Sequence, residues 1–154
     1  MSVYRLLRQQ QIPATLPHVW QFFSDARNLA VLTPPHMRMR ITSGNLPDEI
    51  YPGMVITYKV SPVAGIALSW MTEITHVVKE KLFVDEQRHG PFSMWHHQHL
   101  FEENAGGVLM TDIVHYRLPF SFIGNAANSV FIRRQLQDIF DFRHRSIESL
   151  FKNR

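Results

Sequence analysis

The 154-residue sequence predicts an α+β fold. A strongly curved antiparallel sheet of about six or seven strands wraps around a long C-terminal helix, with one or two short helices after the first strand. Three observations predict this. Stretches of alternating apolar and polar residues recur between residues 37 and 119, with short turns between them, and strands joined that way pair antiparallel. Beyond residue 125 the apolar residues change to helical spacing. That amphipathic helix is the natural cover for a sheet whose apolar face must be buried.

Taken in order, residues 3–12 alternate loosely and form the first strand, which Pro13 stops because proline cannot donate to a sheet ladder. Thr15 can cap a helix and Pro17 suits its first turn. Leu16, Val19, Trp20 and Phe23 make its apolar stripe, and the helix ends near Asp25. A second helical turn covers 26–32, and Thr33-Pro34-Pro35 breaks it. Residues 37–42 read as a strand, with Met37, Met39 and Ile41 on one side. A loop at 43–53 follows. The next strand, 54–60, turns Met54, Ile56, Tyr58 and Val60 one way. The stretch 66–78 is long, with Trp70, Thr72, Ile74 and His76 in phase. Lys79-Glu80-Lys81 is a charged turn, and 82–88 puts Phe83, Asp85 and Gln87 in phase before Gly90-Pro91 ends the strand.

Residues 86–119 hold two long strands joined at Ala105-Gly106-Gly107, where a tight turn calls for the positive φ that glycine adopts cheaply. On the first of them Trp95, His97, His99 and Phe101 share one face. With Gly106-Gly107 as the turn, Phe101 lies opposite Asp112, His99 opposite Val114 and His97 opposite Tyr116. One face is then aromatic, polar and titratable at once, which suits a pocket better than a plain core. This face is assigned inward, because the other offers His96, Gln98 and Glu102 against Thr111, His115 and Arg117. After a Phe-rich link at 120–124, with Gly124 as a possible hinge, Asn125 or Asn128 caps a helix to about residue 151. Its stripe is Ile132, Leu136, Ile139/Phe140, Ile147 and Leu150, widened by Phe131 and Phe142.

Composition bounds the function. The length suits one domain spanning 1–154. No run approaches the roughly 20 apolar residues that span a membrane, and the N-terminal residues lack the apolar core of a secretory signal. The absence of cysteine excludes disulfides, thiolate metal sites and a cysteine nucleophile, and fits a cytoplasmic location. The +3 charge is spread over scattered Lys and Arg rather than a basic stripe, so nucleic acid is not an expected partner.

The order of elements brings a family into view. Leu32-Thr33-Pro34, Pro52-Gly53-Met54 with Tyr58, Trp70 and Ile74, and residues 83–87 carry the resemblance. So do Gly90-Pro91-Phe92 with Trp95, His97, His99 and Phe101, then Asp112, Val114, Tyr116 and Pro119. Gly124 and a helix with Ile139-Phe140 and Arg143 complete it. The chain resembles the START-related, birch-pollen-allergen-like SRPBCC superfamily, and more closely a ligand-binding SRPBCC subfamily. The resemblance implies a helix-grip fold with a deep cavity for small, largely apolar ligands. It implies no reaction, since superfamily relatives include lipid carriers, plant binding proteins, polyketide cyclases and scaffolds.

The favoured reading is an intracellular binder of a small hydrophobic or aromatic molecule. Trp70, Phe83, Gln87, Trp95, His97, His99, Phe101, Asp112, Tyr116, Leu136 and Phe140 are its ligand-binding residues, with His97, His99, Asp112 and Tyr116 setting orientation. Asp85 and Gln87 can orient a ligand or else face the surface or cap a loop. The alternative is a cyclase- or hydratase-like enzyme, with His97, His99 and Asp112 as candidate acid–base groups and Tyr116 steadying an oxyanion. His97 and His99 are also spaced to ligate a divalent metal with Asp112 as a third donor, but a full ligand set is not evident and hydrogen bonding to Asp112, Tyr116 or water within a polar pocket is the commoner explanation, so no metal or cofactor is assigned. Oligomeric state is left open.

Overall fold

The computed structural model describes residues 2–62, 64–119 and 126–152. Strand β1 (Tyr4–Ile12) leads into helix α1 (Leu16–Phe23) and two short 310 turns (Ala26–Ala30 and Pro35–Met37). Six strands follow: β2 (Arg40–Ile41), β3 (Val55–Val60), β4 (Leu68–Val78), β5 (Leu82–His89), β6 (Met94–Asn104) and β7 (Gly107–Arg117). Helix α2 (Ala126–Phe151) closes the chain's described part. All strands lie in one antiparallel, curved sheet of order β1-β7-β6-β5-β4-β3-β2.

The short helix forms as its sequence suggests. Pro17 sits in the first turn of α1, and Val19, Trp20 and Phe23 bury the stripe. Thr15 occupies the N-cap position, yet its side chain makes no capping hydrogen bond. Asp25 performs that service for the next turn, accepting from the Arg27 backbone N–H at 3.0 Å.

Four expectations need correction. The strand read at 37–42 shrinks to Arg40–Ile41, because Met37 belongs to a 310 turn and Arg38 takes a left-handed φ of 49°. The hairpin turns at Ala105-Gly106 rather than Gly106-Gly107: Asn104 pairs with Gly107, and the Asn104 carboxamide accepts from Gly106 N–H at 2.9 Å. Phe101 therefore faces Met110, His99 faces Asp112, His97 faces Val114 and Trp95 faces Tyr116. The partner strand moves by two residues, an even step, so each residue keeps its face. On β4, Trp70, Thr72 and Ile74 stay in phase, but a register shift between Ile74 and His76 turns His76 out to solvent. On α2, Phe131 and Leu150 are exposed; the buried stripe is Leu136, Phe140, Arg143, Ile147 and Phe151, flanked by Ile132 and Ile139. The link at 120–124, its Gly124 hinge and Asn125 lie outside the described residues, and Asn128 lies within α2 rather than at its cap.

Two ties fix α2 across the sheet. At one edge β1 holds its middle and C-terminal part, with Arg8 paired to Asp141 at 2.9 Å and the Gln10 amide donating to His144 O at 2.9 Å. At the other, the Gln135 amide donates to Pro62 O, just after β3, at 2.5 Å. One apolar cluster, around Ile12, Val19, Trp20, Phe101, Val108 and Ile147, fills the space under α1. A second, around Val114, Tyr116, Leu118, Leu136 and Phe140, lies under the first half of α2. Between helix and sheet the packing is incomplete, and a cavity remains.

Candidate functional site

The cavity has a volume of about 490 Å³. Its wall is built from Phe22, Leu29 and Leu32 at the α1 end, Ile56 and Tyr58 of β3, and Trp70 of β4. Phe83 and Asp85 of β5, Trp95, His97 and His99 of β6, and Leu136, Ile139, Phe140 and Arg143 of α2 complete it. Alternation along β5 and β6 is what aims these side chains inward together, since Phe83 pairs with His99 and Asp85 with His97.

Most of that wall is apolar, but one part is densely charged. His97 Nε2 lies 2.9 Å and His99 Nδ1 3.0 Å from Asp112 Oδ1. On the other side of the rings, His99 Nε2 is 2.6 Å and His97 Nδ1 3.6 Å from Asp85 Oδ2. The two imidazoles lie 3.7 Å apart between centroids, and Phe83 stacks on His99 at 4.0 Å. Arg143 enters from α2, with Nε 3.3 Å from Asp112 Oδ2 and Nη2 3.4 Å from Oδ1.

Burial and pairing push these groups apart. Burial, reinforced by the neighbouring His99, holds the His97 imidazole below its ordinary pKa. Burial acts the same way on His99, but its hydrogen bonds to Asp112 and Asp85 outweigh it and raise the pKa. Burial would lift the Asp112 carboxyl, yet the Arg143 charge and the two histidines hold it well below the usual range. Asp85 is likewise lowered against burial, by His97, His99 and Arg143. The cluster thus gathers two imidazoles, two carboxylates and one guanidinium in one buried place. A second polar point is the buried Tyr58 hydroxyl, 3.0 Å from Thr72 Oγ1, whose pKa burial raises.

Of the residues singled out from the sequence, Trp70, Phe83, Trp95, His97, His99, Leu136 and Phe140 line the cavity. Four do not. Gln87 clamps the loop after β5, donating to Phe92 O at 2.6 Å and accepting from Phe92 N–H at 3.2 Å. Phe101 packs against Trp20, Phe23 and Phe83. Tyr116 stacks on Tyr4 at 5.4 Å. Asp112 stands behind the two histidines. Arg143 was not among the sequence-derived candidates, although it follows Phe140 by three residues and precedes Ile147 by four on the buried stripe. Asp85 was seen as a possible orienting group and proves to reach the wall.

A sequence profile describing polyketide cyclase / dehydrase and lipid transport proteins matches residues 12–142. The chain belongs to that family. Solved structures place this polyketide cyclase/dehydrase-family chain in the same fold as three proteins of low identity. Protein Ms6760 from Mycobacterium smegmatis is 20% identical with a TM-score of 0.68, over 99% of this chain and 97% of its own. Ginseng major latex-like protein 151 from Panax ginseng is 15% identical with a TM-score of 0.66, over 97% of each chain. Ara h 8.0201 is 14% identical with a TM-score of 0.64, over 96% of this chain and 99% of its own. No curated protein matches the chain. Among the described residues no helix is long and apolar enough to cross a membrane.

Proposed function

We propose that this member of the polyketide cyclase/dehydrase family is a single intracellular domain that binds a small hydrophobic or aromatic molecule between the sheet and α2. One observation carries this reading: a largely apolar cavity of about 490 Å³ with Asp85, His97, His99 and Arg143 gathered on one part of its wall. Pockets of this size and composition suit small organic ligands, with burial supplying affinity and a few polar groups supplying orientation. His97, His99, Asp85 and Arg143 are the orienting groups that reach the wall, and Asp112 holds both histidines from behind. Trp70 adds an indole N–H that is buried with no hydrogen-bond partner among the described residues.

Titration with an apolar fluorophore such as anilinonaphthalene sulfonate tests the reading. The native chain is expected to bind about one equivalent with micromolar affinity, and Leu136→Trp, which fills the cavity, to abolish binding while the fold persists by circular dichroism. Unchanged fluorophore binding in Leu136→Trp would place the dye elsewhere and remove the support.

A second reading has its own observation, two adjacent imidazoles facing the cavity at 3.7 Å between centroids, with burial pushing the His97 pKa down and hydrogen bonds to Asp112 and Asp85 pushing that of His99 up. An acid and a base side by side suit proton transfer on a carbonyl compound of the cyclase or hydratase kind. The two readings separate on His97→Ala. In an enzyme it abolishes turnover with ligand affinity largely kept; in a binder it changes affinity alone.

A further inference from the structure

Asp85, His97 and His99 bring one carboxylate oxygen and two imidazole nitrogens within 4.8 Å of one another, and all three side chains line the cavity. The nitrogens turned toward Asp85 are His97 Nδ1 and His99 Nε2, at 3.6 and 2.6 Å. The opposite nitrogens, His97 Nε2 and His99 Nδ1, converge on the single oxygen Asp112 Oδ1 at 2.9 and 3.0 Å. Asp112 Oδ1 can thus hold both rings from behind, with Arg143 Nη2 also 3.5 Å from His99 Nδ1, while a cation would take the place of the proton that His99 Nε2 and Asp85 Oδ2 now share at 2.6 Å. In metalloproteins a ligating histidine characteristically donates its other N–H to such a carboxylate, which sets tautomer and ring orientation. Asp112 is itself fixed by Arg143, whose Nε lies 3.3 Å from Oδ2.

The geometry points to a site for one first-row divalent cation, of the zinc class, held by Asp85 Oδ2, His97 Nδ1 and His99 Nε2 on the cavity wall. This differs from the triad suggested by the sequence: Asp85 is the third ligand, and Asp112 stands behind both imidazoles. A cation about 2.0–2.2 Å from each donor spaces neighbouring donors by about 3 Å. The two separations from Asp85 Oδ2, 3.6 and 2.6 Å, lie on either side of that value, and all three donors fall within 4.8 Å. Charge favours it too. Once the cation has displaced any proton from the two imidazoles, two carboxylates and one guanidinium leave the cluster at −1, which a divalent cation offsets. Two histidines and one carboxylate leave coordination positions open. These positions face the cavity, where an oxygen or nitrogen of a bound molecule completes the shell. The site stands independently of which molecule fills the cavity.

The test uses the whole chain, stripped with chelator and titrated with Zn²⁺ by calorimetry and with Co²⁺ by visible absorbance. The expected result is one equivalent bound with micromolar or tighter affinity. Asp85→Asn and His99→Gln should each weaken it by about 100-fold or more. His96→Ala, whose histidine sits on the other face of β6 against Glu86 at 2.7 Å, should bind as the native chain does. Should a variant fail to fold, nitrogen-15 histidine spectra of the native chain decide: Zn²⁺ must shift His97 Nδ1 and His99 Nε2. Substoichiometric binding, native-like affinity in both cluster variants, or shifts confined to other histidines would each overturn the proposal.

Discussion

Asp112 Oδ1 faces three donors, and Arg143 is the one whose charge is permanent. Arg143 as a whole is 7% exposed, so little water can replace its guanidinium if it is removed. Arg143→Met should therefore cost about 3–5 kcal/mol, the range for stranding a buried charge by deleting its partner. Urea unfolding measures the loss. In an Asp112→Asn background the same substitution should cost much less, because no carboxylate is left to strand. Equal costs in both backgrounds would mean that Arg143 acts through packing on Phe23, over whose ring it lies at 5.5 Å, and not through the carboxylate. Arg143 was legible in principle. Helical spacing places it between Phe140 and Ile147 on the buried stripe, but a pattern built only on apolar residues passes over a charge. Asp85 was harder. Its phase with Phe83 is plain in the sequence, whereas which face of β5 points inward depends on neighbouring strands.

The β6–β7 hairpin shows what a strand pattern conveys and what it omits. Alternation placed Trp95, His97, His99 and Phe101 on one face, and that survives because a two-residue displacement preserves the face. The register itself was misread, since the two glycines do different work. Gly106 stands in the turn, where an added Cβ would touch only the Gln11 and Asn104 side chains, the nearest atom at 3.2 Å. Gly107 begins β7 with φ of 117° and is pressed against the backbone of Ile12 and Ala14. Gly107→Ala should thus cost about 2 kcal/mol or more, from backbone strain and the collision with β1's end. Gly106→Ala should cost well under about 1 kcal/mol, since the flexible Gln11 amide can yield. Chemical denaturation of both variants checks this, and similar losses would show that the turn rather than the close approach demands glycine. The bulge after Ile74 left no trace in the sequence. His76 simply continues the alternation, and only the pairing of β4 with β5 turns it outward.

At the scale of the whole molecule, the succession of elements and the helix cover followed from periodicity, but the pairing of β1 with β7 and the cavity did not. The same apolar stripe on α2 serves a dense core at one end and an open wall at the other, and nothing in residue type distinguishes the two. Leu136 and Ile147 show the difference. They lie eleven residues apart, about three turns, on one face of α2 and are similarly buried. Ile147 packs in the cluster with Val19, Phe101 and Met110 and does not line the cavity, whereas Leu136 does. Dispersion is lost only where partner atoms exist. Ile147→Ala should therefore cost about 3–4 kcal/mol, in the middle of the range for buried aliphatic truncations. Leu136→Ala already borders empty space and should cost about 1–2 kcal/mol, below that range. Binding should move the opposite way: Leu136→Ala alters fluorophore affinity, while Ile147→Ala, at a temperature where it stays folded, leaves it unchanged. Parallel urea melts and titrations on the two variants give four numbers. Equal stability losses together with unchanged affinity in both would mean that α2 is packed alike along its length, and the cavity would lose its claim to be the binding site.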